Sequence, residues 1–159
     1  MKKIYCKIEK CLACRSCEIA CAAQHSESKN LVGALNEAEM PKPRIHVQHI
    51  DEKGTLRPVR AMAIQCRHCE EPACAQACIS GGICKDEQTG AILFNLEKCV
   101  GCWSCIMVCP VGAIVKSDSM HQALKCDQCP GLDQPACFQA CPTGALFLWE
   151  EEEVEKEGK

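Results

Sequence analysis

A small α+β fold, held together by something other than a large apolar core, is what the sequence predicts. Three observations predict it. Cysteine makes up 18 of 159 residues, about 11%, above the range at which a disulfide or metal framework becomes the leading explanation. Aromatic residues are only 4%, and cysteine itself inflates the 47% hydrophobic figure, so side-chain burial alone falls short of the chain entropy to be offset. Between the cysteine groups lie short alternating stretches bounded by glycine and proline, the pattern of short strands rather than long helices.

Taken in chain order, "IYCKIEKCLACRSCEIAC" from Ile4 aligns without gaps to "ILFNLEKCVGCWSCIMVC" from Ile92, an internal repeat at an offset of 88 residues. Repetition at this scale points to duplicated small modules. Residues 22–60 interrupt the pattern with charge, histidine and proline and no cysteine; they read as an insertion. Within it, a Ser26 or Ser28 cap predicts a helix running through Ala38 until Pro41, and "RIHVQHID" (44–51) alternates like a strand. "GAILFNL" (90–96), "GAIVKS" (112–117) and "GALFLW" (144–149) read as short strands in hairpins, and "KDEQTG" (85–90) as a hairpin turn. Pro110 and Pro142 directly follow a cysteine and stop any helical turn there. The tail, 150–159, has six acidic residues in ten and no apolar period; it is expected to fray, and most such runs are merely solvated.

The cysteines fall into four groups: Cys11, Cys14, Cys17, Cys21; then Cys66, Cys69, Cys74, Cys78; then Cys99, Cys102, Cys105, Cys109; and Cys126, Cys129, Cys137, Cys141. Groups one and three share one layout. Groups two and four share another, with a longer gap before the third cysteine and the tails "PACAQAC" and "PACFQAC". Only Cys6 and Cys84 stand outside. Disulfides, zinc and iron–sulfur clusters compete for these thiols. The N-terminal stretch shows no apolar run of signal-peptide type, so a reducing cytoplasm is the expectation, and there a cysteine-dense chain binds metal. No run of 18 apolar residues exists, so no membrane span is expected.

A zinc ion needs four ligands, which two distant C-x2-C knuckles supply. Three cysteines at i, i+3 and i+6 instead wrap three corners of a cube, and a fourth, one helical turn on, stands about 6 Å further along the axis. The run C-x2-C-x2-C-x3-C-P is the bacterial ferredoxin pattern in which the fourth cysteine serves a neighbouring 4Fe-4S cluster. Group three matches it through Pro110, and group one matches with Ala22 in the proline position. Formal net charge is −3, and sixteen thiolates around four cluster cores bring the loaded protein near about −11. Nucleic acid is therefore excluded as a partner on electrostatic grounds.

On these motifs, from Ile4 to about Trp149, the chain resembles the four-cluster ferredoxin-like electron-transfer subunits of molybdenum or tungsten oxidoreductases, formate dehydrogenases, hydrogenases and carbon monoxide dehydrogenase. The resemblance implies two interleaved ferredoxin-like modules within residues 1–149, one from groups 11–21 and 126–141, the other from groups 66–78 and 99–109. It implies four 4Fe-4S clusters with exchanged ligands. Cys11, Cys14 and Cys17 pair with Cys141; Cys126, Cys129 and Cys137 with Cys21; Cys66, Cys69 and Cys74 with Cys109; Cys99, Cys102 and Cys105 with Cys78. It further implies a non-catalytic role between a soluble catalytic subunit, of the tungsten, molybdenum or carbon monoxide dehydrogenase type, and a second redox protein. Two departures stand out. Some members replace a third-group ligand by tryptophan, whereas Trp103 here lies between ligands, and Ile79 stands where proline usually follows Cys78.

The residues themselves leave other classes open: a free-standing diffusible polyferredoxin, or a zinc-binding interaction module. No nucleophile-and-base constellation is readable. His25, His68 and His121 lie near the groups but are surplus to four-thiolate sets, and nothing gathers His46 and His49 into a metal site. Cys6, matched by Phe94 in the repeat, and Cys84, matched by Phe147, are read as small core fillers. Trp103 and Trp149 are read as shields that keep water from a cluster.

Overall fold

The computed structural model describes residues 3–50, 60–117 and 121–149. The 150–159 tail lies outside them, as do residues 51–59 of the insertion. Among these residues, eight strands form four separate two-stranded antiparallel ladders, and five helices, most of a single turn, sit between them. The α+β class follows directly.

Strand β1 (Lys3–Cys6) ends in a 3-10 turn at Ile8–Lys10, and α1 (Ser16–Gln24) follows. The repeat reproduces this order as β5 (Ile92–Phe94), a 3-10 turn at Leu96–Lys98 and α4 (Ser104–Met107). Sequence duplication is thus duplication of local structure. Both helices start from a residue in the left-handed region, Arg15 at φ 59° and Trp103 at φ 63°. α1 alone continues past its last cysteine, because Ala22 stands where Pro110 stops the other copy.

In the insertion the helix is α2 (Leu31–Asn36), capped by Asn30, whose side chain accepts from Gly33 N. This corrects the expected start at Ser26 or Ser28 and the expected run to Ala38. The Ser26 hydroxyl is spent on Ala23 O, and Ser28 is held through its N–H and hydroxyl by the Glu37 carboxylate at 2.9 and 2.7 Å. Asn30 is the side chain left to satisfy a first-turn amide. The expected strand is β2 (Ile45–Ile50), and it pairs with β3 (Arg60–Gln65), a strand the alternation rule did not flag.

β4 (Ile83–Lys85) and β5 make the expected hairpin across the 85–90 turn. Asp86 closes it: its N–H donates to Ala91 O, and its carboxylate accepts from Gln88 N and Thr89 Oγ1. β6 (Val115–Lys116) pairs with β7 (Ala123–Leu124). The third expected hairpin is not one. β8 (Leu146–Trp149) pairs with β1, Ile4 opposite Leu148, so the described ends of the chain close on each other. A strand pairs with whichever apolar edge the topology brings to it, and the preceding strand β7 is already paired with β6.

Helix α1 packs on α5 (Ala136–Gln139), and α3 (Ala73–Gln76) packs on α4. Beside these contacts the buried aliphatics among the described residues are few: Ile4, Ile45, Val47 and Leu146 around α1, then Ile83, Ile92, Ile114 and Leu124. Much of the remaining interior is alanine and cysteine. No helix of the described residues is long and apolar enough to cross a membrane.

Candidate metal centres

The first C-x2-C loop of each group bends through a left-handed residue just before its second cysteine: Ala13 (φ 54°), His68 (φ 45°), Gly101 (φ 67°) and Gln128 (φ 65°). An αL residue in a tight loop turns successive amides inward, a nest for negative charge. His68 N, Ala113 N and Gln128 N point at the sulfurs of Cys66, Cys109 and Cys126 at 3.3 to 3.4 Å, and Arg44 N at Cys21 Sγ at 3.2 Å.

The thiols gather in four neighbourhoods. One cavity is lined by Cys11, Cys14, Cys17 and Cys141, with Cys6 beside them. A second is lined by Cys66, Cys69, Cys74 and Cys109 between Pro72 and Pro110. Burial pushes the Cys105 thiol up to about 11, and Cys99, Cys102 and Cys78 add to the rise; Cys78 also packs in the apolar cluster around Cys105. Burial likewise raises Cys137, and then Cys126, Cys21, Cys129 and Cys17 act on it. Cys78 thus lies within electrostatic reach of Cys105 in group three, and Cys21, with Cys17, within reach of Cys137 in group four.

The neighbourhoods stand in a row. Cys17 acts on Cys137, and Cys66 acts on Cys126, beside which it packs with Ala113. Cys74, Cys78, Cys105 and Cys109 pack about one apolar cluster. At the two ends of the row Cys14 and Cys102 are exposed.

Depth divides the thiols chemically. Burial pushes Cys17 and Cys126 up to about 12, helped at Cys17 by the Glu18 carboxylate. Such thiols hold their protons unless a cation takes the proton's place, which is what a metal core does. The rim thiols go the other way. Cys14 is lowered first by the Ser16 hydroxyl, and Cys102 by the N–H and then the hydroxyl of Ser104. Burial opposes the same fall at Cys78 and Cys141, where Ser80 and Thr143 with nearby amides prevail. This hydroxyl two residues after a cysteine was missed at the level of sequence. Its signal is plain in hindsight: Cys-x-Ser at 14–16, 78–80 and 102–104, and Cys-x-Thr at 141–143.

The surplus residues separate as well. Cys6 is half-buried and packs against the core around Ile4 as expected, and it also accepts from Ala63 N at 3.4 Å and lines the first thiol cavity. Cys84 is exposed, because Ile83 takes the inward face of a three-residue strand and its neighbour must point out. His68 is 1% exposed, and burial, then the Lys125 charge, depress it to about 4; its Nδ1 accepts from Ile92 N. His25 does more. Nδ1 lies 2.7 Å from Cys21 O and 3.6 Å from Cys21 Sγ, and Nε2 lies 3.1 Å from Asp127 Oδ1. Both ring nitrogens face acceptors, so burial is outweighed and the imidazole is raised to about 9. Asp127, pulled well below the usual carboxylate range despite burial by His25 and Arg44, links the insertion to the fourth group through Arg44 Nη1 at 2.5 Å. Among the described residues Trp103 is half-buried under Lys116 Nζ, 5.0 Å from the ring centroid, and Trp149 stands edge-on to Phe147.

Four sulfurs per neighbourhood, deep thiols that need a cation and inward amides form a donor set that suits iron–sulfur clusters. The family model of a 4Fe-4S dicluster domain matches residues 59–151. The chain belongs to this dicluster family. Group one lies outside the matched stretch and enters through the repeat. Among similar proteins, an iron-sulfur protein of Rhodospirillum rubrum is 37% identical over 163 residues, covering 91% of this chain and 80% of its own. Electron transport protein HydN of Escherichia coli K12 is 35% identical over 164 residues, covering 92% and 87%. The iron-sulfur subunit of the nitrate-inducible formate dehydrogenase of the same organism is 28% identical over 157 residues, covering 92% of this chain and 53% of its own length. The dicluster family thus accounts for the last three cysteine groups, and these relatives align along nearly the whole chain.

Proposed function

We propose that the chain is a non-catalytic electron-transfer subunit carrying four 4Fe-4S clusters. The clusters would form a wire between a catalytic oxidoreductase subunit and a second redox protein. The observation that carries this reading is the row of four thiol neighbourhoods, each joining three cysteines of one group to a fourth from its partner group. The ligand sets follow as Cys11, Cys14, Cys17, Cys141; Cys126, Cys129, Cys137, Cys21; Cys66, Cys69, Cys74, Cys109; and Cys99, Cys102, Cys105, Cys78. Two interleaved modules would then occupy residues 1–149, the first including the β1–β8 ladder.

When bound, such clusters supply one-electron oxidation and reduction. The chain's part is to hold them, keep water away and set their potentials through amide and hydroxyl contacts to sulfur. Electrons would enter and leave at the exposed ends, near Cys14 and Cys102. Leu12, 71% exposed beside the first, and Val100 and Met107, 65% and 83% exposed beside the second, give each end an apolar rim for a partner. A tungsten, molybdenum or carbon monoxide dehydrogenase type of catalytic subunit is the partner class proposed, in keeping with the formate dehydrogenase subunit among the relatives. A cytoplasmic location goes with that reading.

Anaerobic purification at native abundance tests it, with iron and sulfide assays and electron paramagnetic resonance on the product. Iron and sulfide near about sixteen each per chain, in a stable complex with a catalytic subunit, are expected. A lone monomer with the same iron would select the diffusible carrier instead, and a colourless protein with zinc would reject the clusters altogether.

A further inference from the structure

Lys125 is 3% exposed, buried more deeply than an aliphatic ammonium normally sits without a counter-ion. Its Nζ donates to two neutral carbonyls, Ile92 O and, at 2.8 Å, Cys126 O. Among the described residues no carboxylate pairs with it. Hydrogen bonds to carbonyls satisfy donors but leave the charge uncompensated, and an uncompensated charge is a large cost in a low-dielectric interior.

The surroundings supply the missing partner. Lys125 immediately precedes Cys126, and its charge also acts on the thiols of Cys66 and Cys74. Cys66 and Cys126 pack against each other around Ala113, with Cys109 alongside. The ammonium therefore lies where the second and third neighbourhoods of the row meet. Sixteen thiolates exceed the positive charge of four cluster cores, so every neighbourhood is a net anion once loaded.

We infer that Lys125 is the internal counter-charge of the two middle clusters, those of Cys66, Cys69, Cys74, Cys109 and of Cys126, Cys129, Cys137, Cys21, and that it raises their reduction potentials. The inference rests on the four-cluster reading above. Each reduction adds one electron and one negative charge to a cluster, with no bond made or broken, and the electron comes from the neighbouring redox partner. A fixed cation beside the cluster stabilises the reduced form more than the oxidised one, so the potential rises. The same charge at the junction would keep electrons from stalling on an outer cluster.

The experiment is an anaerobic potentiometric titration of the full chain, followed by electron paramagnetic resonance, for wild type, Lys125→Gln and Lys125→Met. Gln keeps a donor for the Ile92 and Cys126 carbonyls without the charge, and Met keeps only the stem. With iron content held at the wild-type value, two of the four midpoints should fall in both variants. The expected size is at least a tenfold fall in the ratio of reduced to oxidised cluster at the wild-type midpoint, which is about 59 mV for a one-electron couple. Four unchanged midpoints, or an equal fall in all four, would overturn the inference. Loss of iron from both variants would assign the lysine to folding and overturn it as well. A wild-type protein with iron for fewer than four clusters would instead reject the reading on which it rests.

Discussion

The first C-x2-C loops of groups one and three differ at one backbone position whose cost can be worked out. Gly101 and its counterpart Ala13 both sit in the left-handed region, at φ 67° and 54°. A Cβ built on Gly101 would lie 2.5 Å from the carbonyl oxygen of His121, a backbone atom that cannot swing aside. Gly101→Ala should therefore cost about 1–2 kcal/mol for the left-handed conformation and about 1–3 kcal/mol more for displacing the 121 segment. Together that is about 2–5 kcal/mol. Ala13→Gly runs the other way: about 1–2 kcal/mol of relieved strain, less about 0.5–1 kcal/mol of added chain entropy, leaves it neutral to mildly stabilising. The assay is the rate at which the loaded protein loses its visible cluster absorbance under a strong iron chelator, because unfolding of such a protein is irreversible and best read as a rate. Where loop opening limits that rate, 2 kcal/mol corresponds to roughly a 30-fold acceleration for Gly101→Ala. Ala13→Gly should match wild type or decay more slowly. Equal rates for wild type and Gly101→Ala would refute the argument, since neither strain nor the His121 contact would then matter to the loop.

Cys141→Ala should lower iron by the content of one cluster, because Cys141 lines the cavity of Cys11, Cys14 and Cys17, whereas the exposed Cys84→Ala should leave iron unchanged; iron and sulfide assays on both variants decide it. Ile92→Ala removes a side chain that is 1% exposed, and a loss of about 2–5 kcal/mol should appear as faster thermal bleaching than for a surface control such as Leu93→Ala. Complete removal of iron should leave the chain largely without regular structure, since the few buried aliphatics cannot offset its entropy without the metal; native-like far-ultraviolet circular dichroism in the iron-free protein would show the core to be self-sufficient.

Local features were legible because they depend on neighbours in sequence. Cysteine spacing, the 88-residue repeat, the Asp86 hairpin and the stop at Pro110 all appear where the residues place them. Misreadings came where two chemically similar residues competed or where a partner was distant. Ser26, Ser28 and Asn30 are all competent caps, and only the contacts to Ala23 and Glu37 showed which was free. β3 escaped notice because "RAMAIQ" carries alanines on the buried face, small enough for the packed layer but too weak to mark a strand. Cys84 has an aromatic counterpart, Phe147, that suggests a buried place, yet it is exposed, because Ile83 takes the inward face of that short strand.

The sequence by itself determined the chemistry: sixteen thiols in four spaced groups, few aromatic side chains for a core, and duplication at a fixed offset. Those are properties of composition and short-range order, and they survive in any drawing of the chain. Tertiary structure decided which thiols are neighbours. The pairing of β1 with β8 and of α1 with α5 brings Cys141 beside Cys11 and Cys21 beside Cys137, contacts spanning well over a hundred residues that no local period encodes. It also decided that Lys125, an ordinary surface-type residue in the sequence, lies buried between two of the four neighbourhoods. Burial of a charge is set by what folds over it, and that information belongs to the whole chain.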